Sequence, residues 1–371
     1  MHVVLSTALF IFLICILVIV HELGHFLVAR ANGVFVEAFS VGIGPVLFEK
    51  TGKSGTKWRF SLFPIGGYVK MFGDADVSSV KETIQSGFSE EDMDKMSLHR
   101  KKPWQKLFVA AAGPVFNFVF AIGVLFFLTM AQGAPEYPPT ITVAGEDSLA
   151  YTSGLRDGDL IIKANGKDIA NFDELKEQIV ASHGKEMPLE IKRNEETKEI
   201  LVEMFKKEGE EIVPLTMLGI APKDPPKFKK FGCLESITAA VLTTYRLAAD
   251  NMKAIFSILT RKASTKNVGG VISIFKLTSQ SASQGVASFV FTLAILSTVL
   301  GAVNLLPIPV LDGGTVLISA IEWIIGRPLN KKFVEVIFFI GLAFVVGLML
   351  LGLWNDLANC KFFVWLENLF K

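Results

Sequence analysis

Apolar residues in this chain are gathered into long runs instead of alternating with polar ones, and that gathering predicts the main elements. Runs at residues 3–30, 107–130, 287–306 and 333–353 each reach the roughly 20 residues that carry a helix across about 30 Å of hydrocarbon. They predict four transmembrane helices. A fifth apolar stretch, residues 233–259, has Glu235, Arg246, Asp250 and Lys253 spread through it. That pattern predicts an amphipathic helix lying at an interface or in a groove. Polar sequence containing glycines follows through Gln284.

Two polar stretches carry patterns of their own. Trp58-Arg59-Phe60-Ser61-Leu62-Phe63 and Gly67-Tyr68-Val69-Lys70-Met71-Phe72 alternate on either side of Pro64-Ile65-Gly66, which predicts a hairpin of these two strands. An acidic, serine-rich tail follows at residues 73–96. Residues 138–222 have the composition of a water-soluble domain. Ser153-Gly154-Leu155-Arg156-Asp157-Gly158-Asp159 leads into a predicted strand from Leu160 and a tight Asn165-Gly166 turn. A helix over 171–181 and a strand over 189–192 complete the pattern, which looks like a PDZ domain, a module that binds extended peptides by strand addition.

Composition supports the division. Of 371 residues 51% are hydrophobic and 20% charged, and the two kinds are segregated, as in a polytopic membrane protein carrying one soluble domain. The net charge of +1 gives no reason to expect nucleic-acid binding. Cys15, Cys233 and Cys360 are the three cysteines, which excludes a disulfide scaffold and a CxxC metal knuckle. Residues 1–20 resemble the apolar core of a signal peptide, but no Lys or Arg precedes that core. The expectation is a retained first span.

That first span ends in His21-Glu22-Leu23-Gly24-His25. Two imidazoles four residues apart on a helix lie on one face and can reach one cation, and Glu22 beside the first can hold a water on it. Three ionisable groups in one turn of a membrane helix cost roughly 2.5–3.5 kcal/mol each if they face lipid, so a function is expected of them. A third ligand is sought at membrane depth. After the third run, Asn304-Leu305-Leu306-Pro307-Ile308-Pro309-Val310-Leu311-Asp312-Gly313-Gly314 breaks the helix around one carboxylate, which is tolerated only where backbone lines a cavity or is buried. Asp312 is the candidate; a role as N-cap of a helix over 315–325 is compatible with ligation, and alone would be the structural reading of it. Two imidazoles and a carboxylate suit one zinc ion per chain. In the second run, Gly113-Pro114-Val115-Phe116-Asn117 places a proline and an amide within the helix; the segment reads as a plain kink or as a part of the site, and Asn117 favours packing against the ligand-bearing helices.

Topology tests the set. Arg100, Lys101, Lys102 and Lys106 precede the second run, and Arg327, Lys331 and Lys332 the fourth; such basic loops mark the cytoplasmic side. With four spans, the loops 31–106 and 327–332 both fall inside and spans one and three run the same way. His21, His25 and Asp312 can then meet near the cytoplasmic face. Were residues 233–259 a fifth span, Asp312 would lie on the opposite face.

Together these residues resemble the intramembrane site-2 proteases, specifically the bacterial regulator-of-sigma-E protease type. The likeness runs over nearly the whole chain: HELGH at 21–25, Gly66-Gly67, Gly113-Pro114 with Asn117, the PDZ-like insertion, and the stretch from Asn304 to Gly314 with its LDGG. It implies zinc held by His21, His25 and Asp312, Glu22 as catalytic base, and Asn304 assisting substrate or transition-state binding. The edge formed by Gly66, Gly67, Tyr68 and Val69 is expected to hold substrate in extended form. The implied fold is a mainly α polytopic membrane protein with four transmembrane helices, a membrane-associated β-hairpin and an inserted α+β PDZ domain. Its parts fall at 1–137, 138–222 (the PDZ domain), 223–286 (the interfacial region) and 287–371. The implied activity is cleavage of transmembrane segments of single-span proteins, such as an anti-sigma factor or remnant signal peptides, after another protease has trimmed the ectodomain. The implied place is the bacterial inner membrane, with both termini and the PDZ domain extracytoplasmic and the zinc near the cytoplasmic side. The chain departs from the best-known enterobacterial members in having room for one PDZ domain where they have two. Two other classes stay open on the residues alone: a metal transporter, since intramembrane His and Asp also mark ion pathways, and a membrane-anchored PDZ scaffold without catalysis.

Overall fold

A computed structural model describes residues 2–73, 95–182, 185–208, 211–214, 218–260 and 269–359. Most of the acidic tail at 73–96, and Cys360, lie outside these. The chain is mostly helical, and among the described residues four helices are long and apolar enough to cross a membrane. They are α1 (His2–Ala31), α2 (Pro103–Gln132), α7 (Val286–Asn304) and α9 (Lys331–Asn359). A helix that is apolar on every face belongs in a membrane or a deep core. On α1, Val4, Leu5, Phe12 and Leu27 are exposed, while Leu13 and Leu17 are buried with Leu293 of α7.

The charged stretch at 233–259 is a single helix, α5 (Cys233–Leu259), and is not one of the four. The polar segment after it contains a second amphipathic helix, α6 (Val271–Ser283), which the composition had not suggested. Its first turn is capped from another helix: Ile272 and Ser273 N–H donate to Asp356 Oδ2 of α9 at 2.9 and 3.2 Å, and the Ser273 hydroxyl donates to Oδ1. The cap explains why no local N-cap signal marks α6. Its flank reaches α1, where Phe10 and Phe275 meet edge to face at 5.6 Å and Ser6 Oγ lies 2.9 Å from Ser279 Oγ.

The predicted hairpin is corrected. Residues 58–63 and 67–71 do not pair with each other; both belong to β2 (Lys57–Met71), which pairs with β1 (Val36–Thr51). The reversal lies at Gly52–Thr56, where Gly52 N–H donates to Thr56 O at 2.8 Å and Gly55 has φ +82°. Pro64-Ile65-Gly66 is an irregularity inside β2. Residues 38–41 have two sets of neighbours, Lys70, Val69, Tyr68 and Gly67 on one side and Lys57, Trp58, Arg59 and Phe60 on the other. The strands therefore bend into four sheet segments in the order 67–71, 36–41, 57–61, 46–51. Gly42 and Gly44, at φ +89° and +88°, make the bend in β1, a conformation that costs glycine little.

Residues Thr129–Ser236 form a separate compact unit. Its sheet has the order β6-β5-β7-β8, from β5 (Leu160–Ala164), β6 (Lys167–Asp168), β7 (Glu186–Arg193) and β8 (Glu196–Glu203). Asn165 and Gly166 connect β5 to β6 with φ of 52° and 75°, as a type I′ turn requires. The helix α4 (Phe172–Ala181) is capped by Asn171, whose side chain accepts from Glu174 N–H at 2.9 Å; between α2 and α4 lies the short α3 (Leu149–Thr152). Phe172, Leu175, Ile161, Met187, Leu189 and Ile191 sit in its buried core. Two short pairs close the unit: β4 (Ile141–Val143) with β11 (Ile220–Pro222), and β3 (Ala134–Glu136) with β12 (Lys227–Lys229). The small hairpin β9 (Phe205–Glu208) and β10 (Glu211–Pro214) completes it.

Candidate metal centre

One turn separates His21 and His25 on α1, and both are buried at 8% exposure. Their Nε2 atoms are 3.3 Å apart; Asp312 Oδ2 lies 3.0 Å from His21 Nε2, and Asp312 Oδ1 3.4 Å from His25 Nε2. The three residues are one group able to hold a metal. Bonds of 2.0–2.1 Å in a tetrahedron put any two ligands about 3.3 Å apart. The two nitrogens have that spacing, and the carboxylate offers one oxygen to each of them at 3.0 and 3.4 Å, so the residues fit a tetrahedral ion that keeps one position open.

The face of α2 toward these rings is built to receive them. His25 Nδ1 lies 2.8 Å from Val109 O; a carbonyl only accepts, so Nδ1 carries the proton and Nε2 presents its lone pair. One turn on, a Cβ at Gly113 would lie 2.3 Å from His25 Nε2 and 2.8 Å from His21 Cε1. One further turn on, Asn117 Nδ2 is placed 3.0 Å from His21 Nδ1. Gly24 does the same from α1, where a Cβ would meet Ala112 O at 2.4 Å. Small residues on both helices thus bring the backbones together, as they do in membrane helix pairs.

Asp312 comes from the broken helix. It is the first residue of α8 (Asp312–Ile325), whose N-cap is Leu311. The N-cap reading of Asp312 is therefore wrong: its carboxylate points to the histidines, at a helix end that favours negative charge. Gly313 and Gly314 admit the preceding loop, since a Cβ on either would lie 2.2 Å from Leu306 O or 2.4 Å from Ile308 O. Val310 takes φ +97°, a strained value for a β-branched residue of the kind found at functional sites. Asn304, the last residue of α7, places its Nδ2 3.3 Å from His21 Nε2.

Glu22 turns toward the sheet, where the backbone of Val69 faces its carboxylate. A Cβ at Gly67 would lie 2.6 Å from Val18 Cγ1 and 3.2 Å from Glu22 Cγ. The backbone approach that Gly66-Gly67 foretold is thus made by α1. Gly66, at φ +115°, has only Ile43 Cγ2 near its missing Cβ, and the Tyr68 hydroxyl accepts from Arg59 Nη1 at 3.2 Å.

Residues 9–348 match the profile of peptidase family M50. The chain belongs to that family. A protein of Rhizobium meliloti (strain 1021) is 33% identical over 358 residues, covering 94% of this chain and 95% of the relative. One of Campylobacter jejuni is 34% identical over 355 residues, 94% and 92% of the two chains, and one of Clostridium perfringens 32% over 343, 92% and 95%. All three carry the provisional name zinc metalloprotease. Membership in M50 makes the chain a metalloprotease, which removes the transporter and the catalysis-free scaffold. Two features of the M50 chain escaped the sequence, the Val109 carbonyl and the Val69 N–H. Backbone groups have no residue type, so only the fold can reveal them.

Proposed function

We propose that this chain is an intramembrane zinc endopeptidase that cuts transmembrane segments of single-span proteins, such as an anti-sigma factor or remnant signal peptides, once their outer part has been removed. The observation that carries the reading is the triangle of His21 Nε2, His25 Nε2 and the Asp312 carboxylate beside Glu22 on a helix long enough to span a membrane. His21, His25 and Asp312 would hold the zinc, and the ion when bound supplies Lewis acidity toward water and the scissile carbonyl. Glu22 takes the proton of the attacking water and returns it to the leaving nitrogen. Asn304, beside His21, donates to the oxygen on which charge develops. The substrate helix must unwind locally, because its carbonyls are engaged in its own hydrogen bonds. The sheet edge at Gly66, Gly67, Tyr68 and Val69 receives the extended form by strand addition, next to Glu22.

In the same reading residues 138–222, within the Thr129–Ser236 unit, are a PDZ module that meets peptide or ectodomain parts of the substrate. The I′ turn and the capped α4 beside an antiparallel sheet support it. The enzyme sits in a bacterial inner membrane with both termini and this unit outside, the orientation that the basic loops favour. The test is cleavage of a tagged single-span substrate by purified wild type and Glu22→Gln. Wild type should cut and lose activity to a strong chelator; Glu22→Gln should keep its zinc and not cut. Equal cleavage by the two proteins would refute the reading.

A further inference from the structure

Asn117 is fully buried on α2, and its amide sets one polar atom 3.0 Å from His21 Nδ1 while Oδ1 has no partner. With the nitrogen facing the ring, the amide donates to Nδ1. The single proton of the neutral imidazole then sits on Nε2, the atom that faces His25 and Asp312, and the ring offers no lone pair there. A half-turn of the amide exchanges oxygen and nitrogen without moving the side chain. Oδ1 then accepts from Nδ1–H, and Nε2 points its lone pair into the triangle. Either orientation leaves one amide atom without a partner, so the requirement of the ring decides between them.

We infer that Asn117 is a positioning residue whose Oδ1 accepts the Nδ1 proton of His21 and so sets that ring for metal binding. It does for His21 what the Val109 carbonyl does for His25. The two acceptors stand eight residues apart on α2, two helical turns, with Gly113 between them making room for both rings. A third helix fixes the Asn117 turn: Ser297 Oγ of α7 donates to Asn117 O at 2.9 Å, and Gly301 admits Pro114 O and Asn117 Cβ at 3.0 and 3.3 Å from its missing Cβ. The inference rests on the reading of the site as a zinc centre.

The test uses full-length protein in detergent, stripped by chelator and titrated with Co(II) and Zn(II) against a competing chelator. Asn117→Leu keeps the volume and removes the acceptor; Asn117→Asp offers only acceptors. The Leu variant should bind both ions about 10–100-fold more weakly, the usual effect of losing an outer partner of a metal-bound histidine. The Asp variant should bind within a few-fold of wild type, and the metal-free proteins should melt together. Wild-type affinity in the Leu variant, or equal loss in both, overturns the inference. If the Leu variant does not fold, Asn117→Asp decides alone, and a loss of tenfold or more overturns it. A wild type that binds no ion, or binds it equally well as His25→Ala, overturns the zinc reading itself and this inference with it.

Discussion

At Gly113 a single methyl group has no room. An alanine Cβ there would lie within 2.8 Å of atoms of both imidazoles, and α2 cannot retreat, because Gly24 holds the two backbones in contact. Gly113→Ala should therefore yield protein that stays in the membrane but retains well under one zinc per chain; elemental analysis of the purified variant checks this. Glu22→Gln should do the opposite, keeping its zinc while turnover falls by about 10²–10⁴-fold, the usual worth of a general base, measured on a tagged substrate. His21, Glu22 and His25 were legible because helical periodicity is local and puts residues four apart on one face. Asp312 was legible because prolines and glycines at membrane depth need a reason. The collision at Gly113 was not, since it depends on which residue of α1 lies opposite.

Among the elements, the apolar helices followed directly from their runs, whereas β1 and β2 did not. Alternation around Pro64-Ile65-Gly66 marked strand correctly but put the reversal in the wrong place. The bend is shared between Gly42 and Gly44 of β1 and the turn at Gly52–Thr56, and pairing partners so far apart leave no local trace. The corrected sheet changes what a proline at Val69 would do. Proline removes a backbone donor, and the donor at Val69 faces the Glu22 carboxylate. Val69→Pro should thus lower kcat more than it raises KM, with zinc retained, because the base loses its hold; steady-state kinetics on one soluble reporter peptide separates the two. A rise in KM alone would mean that this donor does not hold Glu22 and that Val69 acts only through the substrate-binding edge. The capping of α6 by Asp356 was equally hidden, since its donors and acceptor come from opposite ends of the last third of the chain.

For the molecule as a whole, a count of four spans allows Asp312 to lie on the side of the histidines, and the contact at 3.0–3.4 Å agrees with it. The inserted unit raises the question of what a separate module does for a metalloprotease. It has its own buried core around Phe172, Leu175 and Ile191 and its own ion pair, the buried Asp159 Oδ1 with Nε of the half-buried Arg193 at 2.7 Å; none of the proposed catalytic residues belongs to it. We propose that it acts on the outer part of the substrate as a size filter. The chain enters and leaves it through adjacent strands, with Glu136 paired to Lys227, so residues 138–225 can be replaced by a short glycine-serine turn that closes the β3–β12 pair. The shortened enzyme should bind zinc and cut a pre-trimmed substrate at the rate of the full chain. It should also cut a substrate with an intact ectodomain, which the full chain leaves whole. Gel-based cleavage of both substrates by both enzymes reads this out. A shortened enzyme that binds zinc yet cuts neither substrate would place the unit in the catalytic cycle and end the filter proposal.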